Sequence, residues 1–149
     1  MHYFRRIAEL VLAPVLADDH VHIKRVATSR AASFVKVAVD TYRSGEDVIA
    51  ACKPLLYEFR TYTSRTIALV KYHSELESYI REALAPAPSR SVRRVDVYRE
   101  EHQARVIVEP GTIAQFLGRK GMNAAVASKL TGYGLVLVDA GDLGKVGGA

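Results

Sequence analysis

The sequence predicts an α+β fold made of two repeated units, each a small sheet backed by helices. Segments with alternating apolar and polar residues, typical of half-buried strands, occur in pairs in both halves of the 149-residue chain. Segments with apolar residues at helical spacing flank these pairs. Each half repeats the order strand, turn, strand, helix, tight connection, helix, strand, and a helix precedes it. Repetition at this period favours two tandem units over one larger domain.

The first unit is predicted over residues 1–73. Asp47 is expected to cap a helix that ends at Pro54, because proline lacks the N–H that continues a helix. A second helix then begins at Pro54, since proline is favourable in a first turn. In one strand three valines alternate with Lys36 and Ala38, which predicts a single apolar face. The other elements of this unit are a helix at Tyr3–Leu12 and strands at Val21–Val26, Phe34–Val39 and Thr66–Val70.

The second unit is predicted over residues 74–140. Ser74 and Glu77 have the spacing of a capping box at the start of a helix. The apolar face of that helix comprises Leu76, Tyr79, Ile80, Ala83 and Leu84. A proline-rich joint ends it, and strands follow at Val92–Tyr98, Ala104–Val108 and Leu135–Val138. The glycine-rich tail, residues 141–149, is expected to be flexible.

The amino-acid composition limits the classes of protein to which this chain can belong. Apolar residues make up 49% of the chain, enough for packed cores, and the net charge of +5 is compatible with an acidic partner. The single cysteine, Cys52, cannot form an internal disulfide, which fits the cytoplasm. No apolar run is long enough to cross a membrane. The five histidines are scattered, and no nucleophilic triad, phosphate P-loop or paired carboxylates are visible. We therefore expect no enzyme, metal site, cofactor or small-molecule substrate.

The chain is organised around a glycine loop between two apolar segments. Ile113–Leu117 leads into the loop Gly118–Gly121, and the alanine-rich Ala124–Leu130 follows. Two glycines spaced in this way let the backbone approach a ligand without an intervening Cβ. The next helix then presents free N–H groups to that ligand. Arg119 and Lys120 add positive charge, so the loop suits a phosphate, here of a nucleic-acid backbone. A GxxG sequence alone is also an ordinary helix connection.

Several longer stretches resemble a known family. Leu117-Gly118-Arg119-Lys120-Gly121-Met122-Asn123, followed by Leu130-Thr131-Gly132, resembles the second KH unit of the bacterial transcription factor NusA. That family reads Ile-Gly-Arg-x-Gly-Gln-Asn and then a helix ending in Leu-Thr-Gly. The stretch from Tyr79 to Ala87 is similar to the family's junction Phe-Ile-x-Asn-Ala-Leu-x-Pro-Ala. Tyr3–Leu10, Val21–Ala27 and Phe34–Val39 are similar to the start of the first NusA KH unit. The resemblance implies two tandem KH units of the bacterial type II.

The resemblance also implies a set of RNA-binding residues in the second unit. Arg119 and Lys120 would contact backbone phosphates, with the amides of Gly121, Met122 and Asn123 as donors. Asn123 could instead, or in addition, be the N-cap of the following helix. With two further basic residues, Lys129 and Arg105, the predicted RNA-binding residues are Gly118, Arg119, Lys120, Gly121, Asn123, Lys129 and Arg105.

Several of the implied positions have plainer interpretations. Lys129 could flank the groove or be an ordinary surface lysine. Arg105 could extend a basic path or be an exposed strand position. The floor of an RNA groove would come from Ile113, Leu117, Val126 and Ala104–Val108, which are more often core residues.

The chain departs from the family pattern at three places. Met122 replaces a glutamine, which puts any contact of that side chain with a base in doubt. In the first unit Pro54 and Tyr57 occupy the positions of the two loop glycines, so we expect no RNA contact through that loop. Lys53, Arg60 and Arg65 there are a nonspecific basic surface or, more simply, a solvated face. The sequence does not include the polymerase-binding and OB-type domains that NusA carries ahead of its KH units; if Met1 is the true start, we expect a stand-alone tandem KH protein.

Two functional hypotheses follow. In the first, the chain is a cytoplasmic single-stranded RNA-binding protein that acts in transcription elongation, termination or antitermination. In the second, it is a KH-derived interaction or scaffold module on RNA polymerase or the ribosome, without sequence-specific RNA binding. The intact loop Gly118–Gly121 favours the first hypothesis, and the altered loop around Pro54 favours the second.

Overall fold

The computed structural model describes residues 2–13, 21–30, 33–41 and 45–147. Within these residues it contains two three-stranded sheets and six α-helices, an α+β arrangement of tandem KH-type units. The strands are β1 (Val21–Thr28), β2 (Phe34–Thr41), β3 (Thr66–Lys71), β4 (Val92–Tyr98), β5 (Gln103–Val108) and β6 (Gly134–Asp139). The helices are α1 (His2–Val11), α2 (Gly45–Thr63), α3 (Leu76–Ala83), α4 (Ile113–Leu117), α5 (Met122–Thr131) and α6 (Ala140–Gly147).

The two sheets have the same topology, which confirms the repeat seen in the sequence. In the first sheet β2 is central, antiparallel to β1 and parallel to β3. In the second sheet β5 takes the same place between β4 and β6. Each parallel pair is joined through helices, as a parallel connection requires. The first strand of each sheet also carries one register irregularity, between Ile23 and Arg25 in β1 and between Val92 and Arg94 in β4.

The predicted apolar face of the first sheet packs against α1 and α2. Val35, Val37 and Val39 of β2 share a core cluster with Ala8 and Leu12, at the end of α1, and with Cys52 and Phe59 of α2. Burial raises the pKa of the Cys52 thiol, so it stays protonated in this cluster.

The opposite face of the first sheet is also buried, which the strand alternation did not predict. Ala27 and Ala38 are 0% exposed and belong to the same core cluster as Ile80, Leu84 and Leu130 of the second unit. Helices α3 and α5 lie against this face. Small alanine side chains leave room for a close helix, so a face that reads as half polar in sequence becomes a packing surface.

The expected capping box at the start of α3 is wrong. The helix begins at Leu76, its N-cap is Glu75, and no side chain caps it. Glu77 instead forms an ion pair with Arg81, one turn later, at 3.3 Å. The predicted apolar face of this helix is confirmed for Tyr79, Ile80 and Ala83, which are buried.

Pro54 does not end a helix, contrary to the sequence prediction. Helix α2 runs without interruption from Gly45 to Thr63, and Asp47 therefore lies within its first turn rather than at its cap. Proline removes the hydrogen bond to the carbonyl four residues earlier, that of Ala50, and its ring crowds that carbonyl. Both Ala50 and Pro54 are exposed, so water can satisfy that carbonyl. The first unit therefore has a continuous helix where the second has a loop.

The chain end also differs from expectation. Residues 140–147 form helix α6 instead of a flexible tail, and residues 148 and 149 lie outside the described part. The Asp139 carboxylate accepts hydrogen bonds from the backbone N–H groups of Gly141 at 2.7 Å and Gly111 at 3.0 Å. Across the described ranges, no helix has both the length and the apolar character needed to cross a bilayer.

Candidate nucleic-acid interface

The GxxG loop joins α4 to α5 through a single tight turn. Gly118 has φ 72° and ψ 178°, a conformation open essentially only to glycine. Its N–H donates to the carbonyl of Ala114 at 3.0 Å, which closes α4. The N–H of Gly121 donates to the carbonyl of Gly118, also at 3.0 Å, which closes the turn. The loop is therefore held by its own backbone.

Gly118 is required for a second, steric reason. A Cβ at this position would lie 2.6 Å from Cβ of Asn123 and 3.1 Å from its backbone nitrogen. The start of α5 thus packs directly on the loop, and no side chain fits between them.

The second half of the loop is strained and open. Lys120 has φ 56° and ψ 23°, and Gly121 has φ 73° and ψ 8°, so consecutive residues are left-handed. Nothing lies within 4 Å of a Cβ built on Gly121. Strained residues concentrate at functional sites. Two of the predicted donor amides are nevertheless engaged within the turn, because the N–H groups of Gly121 and Met122 donate to the carbonyls of Gly118 and Arg119. The open side of Gly121 leaves a phosphate access to the N–H groups of α5 that follow Met122.

The two basic residues of the loop point into solvent. Arg119 and Lys120 are both exposed. Among the ion pairs between described residues, none involves either side chain. Their charges are therefore available to a polyanion, in addition to the backbone amides of α5.

Asn123 is buried, and its side chain faces the protein interior. Its Nδ2 donates to the carbonyl of Leu84 at 2.8 Å and to that of Phe116 at 2.9 Å, while no described residue donates to its Oδ1. The N-cap of α5 is Gly121, so the alternative role of Asn123 as N-cap is wrong. Only the backbone N–H of Asn123 remains for the predicted contact with RNA.

The structure does not bring Lys129 and Arg105 to the loop. Lys129 lies about 10 Å along α5 from Met122, and its Nζ donates to the carbonyl of Thr28 in the first unit at 3.3 Å. Ala104 and Val106 face the helices, so Arg105 between them lies on the other face of the sheet. Its cross-strand neighbour there is Asp96.

Most of the expected groove floor is core. Val126, Ala104, Val106 and Val108 are 0% exposed and cannot line a groove. The apolar surface beside the loop is instead in α4, where Leu117 is 41% exposed and Ile113 is partly buried.

One neighbour of the loop comes from the first unit. The hydroxyl of Ser33, before β2, donates to Sδ of Met122 at 3.8 Å, and Arg30 is exposed in the same β1–β2 connection. Sequence reasoning missed this proximity, because residues 89 positions apart meet only through packing of the two units.

The second unit, which contains the GxxG loop, matches a known protein family. The family described as NusA-like second KH domain matches residues 76–144. The chain carries a NusA-like KH region. This match spans β4, β5, β6, the GxxG loop and the helices around them.

Relatives of the NusA-like KH region extend the match into the first unit. The protein named Transcription termination/antitermination protein NusA of Halalkalibacterium halodurans is 30% identical over 134 residues, covering 87% of this chain and 34% of the relative. The proteins of the same name from Mycobacterium tuberculosis H37Rv and Thermus thermophilus are 30% and 29% identical over 125 residues, each covering 80% of this chain. The chain spans about a third of these relatives' lengths (34%, 35% and 31%).

A solved structure agrees on the fold. The crystal structure of APE1850 superposes with a TM-score of 0.57 and 18% sequence identity, covering 89% of this chain and 94% of that one. This likeness concerns the arrangement of helices and strands only.

The first unit of the NusA-like KH region has no counterpart of the loop. The equivalent stretch is the middle of α2, where Lys53, Pro54, Tyr57 and Arg60 are all exposed, Tyr57 by 73%. Helical N–H groups in mid-helix bond within the helix and are unavailable to a phosphate.

Over the residues described, no group of three or more His, Cys, Asp or Glu side chains is arranged to hold a metal ion.

Proposed function

We propose that the NusA-like KH region binds single-stranded RNA through its second unit, in the cytoplasm, during transcription elongation, termination or antitermination. The observation that carries this proposal is the loop: Lys120 and Gly121 have a left-handed backbone and open onto solvent at the start of α5, beside the exposed side chain of Arg119. The curated relatives' names, which refer to transcription termination and antitermination, support the biological context.

The roles within the proposed site divide between backbone and side chains. The N–H groups that follow Met122 in the first turn of α5 bind a phosphate on the open side of Gly121, and Arg119 and Lys120 neutralise adjacent phosphates. Leu117 supplies an apolar contact for an unpaired nucleotide. The first unit makes no contact through α2, whose N–H groups are used within the helix.

The test is fluorescence anisotropy with short labelled single-stranded RNAs over a salt series. Each phosphate contact on a single strand contributes a slope of about −0.7 in log affinity against log salt. We expect the double variant Arg119→Asp/Lys120→Asp to bind roughly 10- to 100-fold more weakly and to flatten that slope, because it removes two cations and adds two anions.

The matched control is Lys53→Asp/Arg60→Asp, which makes the same change of charge on exposed residues of α2. We expect this control to keep nearly the full affinity and slope. Equal loss in both double variants would show that binding follows net charge, not the loop. If Arg119→Asp/Lys120→Asp bound RNA with the wild-type affinity and salt slope, the proposal would be contradicted outright.

A second candidate function is a protein-interaction module on RNA polymerase or the ribosome. The continuous helix α2, with Tyr57 73% exposed on it, favours this candidate for the first unit. The test is gel filtration of nuclease-treated mixtures with purified polymerase or ribosomal subunits. A complex that is lost in Tyr57→Ser but kept in Arg119→Asp/Lys120→Asp would support the scaffold role.

A further inference from the structure

A lysine lies in the interior between the two units. Lys36, the third residue of the central strand β2, is 0% exposed, and its neighbours on the adjoining strands are Ala27 and Ala68. Its Nζ lies 5.6 Å from the centre of the Phe34 ring. A fully buried lysine is rare and costly unless its nitrogen finds partners, so its contacts indicate what it does there.

The partners of Lys36 are two carbonyls at the end of a helix in the second unit. Its Nζ donates to the carbonyl oxygen of Ala83 and, at 2.8 Å, to that of Ala85. The last carbonyls of a helix have no partner within the helix and carry partial negative charge. Burial lowers the pKa of Lys36 to about 7, but a lysine amine has two N–H donors even when neutral. The first unit therefore caps α3 in either protonation state.

The carbonyl between those two is held from the opposite side. The carbonyl of Leu84 accepts the hydrogen bond from Nδ2 of Asn123, and the same nitrogen donates to the carbonyl of Phe116, in α4 just before the loop. Asn123 also lies against Gly118, as the 2.6 Å approach of the two Cβ positions shows. Three consecutive carbonyls thus connect the centre of the first sheet to the GxxG loop.

We propose that Lys36 is a positioning residue for the GxxG loop: it fixes the end of α3, and through Asn123 it holds Gly118 in the geometry that receives RNA. The first unit then controls RNA binding without touching RNA. This proposal rests on the proposed function only where RNA affinity is measured. The geometry of the loop can be followed in the RNA-free protein.

The first test compares Lys36→Met, which keeps the apolar stem and removes the donors, with Lys36→Arg, which restores them. We expect Lys36→Met to weaken RNA binding by roughly 3- to 30-fold. The salt slope should stay at its wild-type value, because no phosphate contact is lost. The backbone amide resonances of Gly118 and Gly121 should shift in the RNA-free protein, and Lys36→Arg should recover both properties.

The matched control is Lys53→Met, the same change on an exposed residue of α2, which should alter neither affinity nor loop resonances. Measurements are made at a temperature where thermal unfolding shows every variant fully folded. A Lys36→Met protein with lower stability but wild-type affinity and unchanged loop resonances would overturn the proposal, since Lys36 would then be merely structural.

A wild-type measurement covers the case in which Lys36→Met does not fold. Coupling between two sites is reciprocal, so saturating RNA should shift the amide resonances of Leu84 and Ala85, whose carbonyls accept from Asn123 and Lys36. Unchanged resonances there would overturn the proposal. If the wild type binds no RNA, the proposed function fails, and the loop resonances of RNA-free Lys36→Met still decide the role of Lys36.

Discussion

The two glycines of the GxxG loop face different surroundings, and this separates folding from binding at the scale of single residues. Gly118 combines a glycine-only conformation with direct contact to Asn123. Gly121 is also left-handed, but its Cβ position is empty. The first glycine is demanded by the interior of the protein, whereas the second has open space where its Cβ would be.

Alanine at these two positions should therefore have distinct effects. We expect Gly118→Ala to lower the free energy of unfolding by about 2–4 kcal/mol, from backbone strain and overpacking together. Gly121→Ala should cost only about 1–2 kcal/mol of stability, yet it should weaken RNA binding because its methyl group occupies the open side. Urea unfolding and RNA anisotropy on both variants check this. If Gly118→Ala and Gly121→Ala lost the same amount of stability and bound RNA equally well, the different roles given to the two glycines would be contradicted.

The buried amine of Lys36 makes a prediction about pH. Its folded-state pKa of about 7 lies below the ordinary value of 10.5, so between these pH values the unfolded chain binds the extra proton. Stability contributed by this residue therefore rises with pH from about 7 upward, and the penalty is largest below 7. Urea unfolding at pH 6.5, 8 and 9.5 should show wild type gaining on Lys36→Met as pH rises. A constant difference between the two proteins would refute this.

The three pH values chosen for this measurement lie below the pH at which Tyr79 begins to titrate. Burial raises the pKa of Tyr79 to about 12, with Arg25 opposing and Tyr72 adding to the shift. The unfolded chain thus loses this proton first, and stability falls above about pH 10. Lys36→Met leaves Tyr79 in place, so subtraction of the two proteins removes its contribution.

At the scale of elements, the two units differ between their second and third strands. The first unit has one continuous helix there, and the second unit has two. Helix α2 continues through Pro54, whereas α4 and α5 are separated by the GxxG loop. The sequence predicted a break at Pro54 because proline usually ends a helix. It does not do so here because the freed carbonyl of Ala50 is on an exposed surface.

Replacing Pro54 with alanine should stabilise the protein. The change restores a helical N–H in an exposed helix, and we expect a gain of about 1–3 kcal/mol in the free energy of unfolding. RNA affinity should not change, since α2 makes no RNA contact in the proposed site. Urea unfolding and anisotropy on Pro54→Ala provide the measurement. A loss of stability would indicate that the helix is interrupted at residue 54 in solution.

The same comparison shows what sequence could and could not predict. The repeated strand order and the GxxG loop follow from local patterns, and both were correct in kind. The inward direction of Asn123 and the burial of Lys36 were missed, because their partners lie 39 and 47 residues away in sequence. Arg105 was placed with the RNA site by charge alone, and strand alternation puts it on the far face of the sheet.

At the scale of the whole molecule, one of the two core clusters contains residues of both units. Ala27, Ala38 and Val70 of the first sheet belong to the cluster that contains most of the second unit's buried residues. The hydroxyl of Tyr79 also donates to the carbonyl of Leu130 at 3.2 Å, which ties α3 to the end of α5 inside this cluster. Neither unit has a complete interior without the other.

We therefore expect one cooperative unfolding transition for the whole chain. Leu130→Ala, at a fully buried position, should lower the free energy of unfolding by about 2–5 kcal/mol. Amide exchange should accelerate equally in β2 and β5, because both sheets contact the shared cluster. Leu10→Ala, at a side chain that is 65% exposed, is the control and should change stability by less than about 0.5 kcal/mol. Two separate transitions would contradict a shared core.

The enclosed amine of Lys36 also gives the molecule a built-in chemical reporter. Acylating reagents modify lysine side chains that solvent can reach, and this side chain is 0% exposed. Only separation of the two units, or complete unfolding, brings its nitrogen into contact with such a reagent. Mass spectrometry of Lys36 after brief labelling therefore counts openings between the sheets, with exposed Lys53 and Lys120 as internal standards for reagent activity.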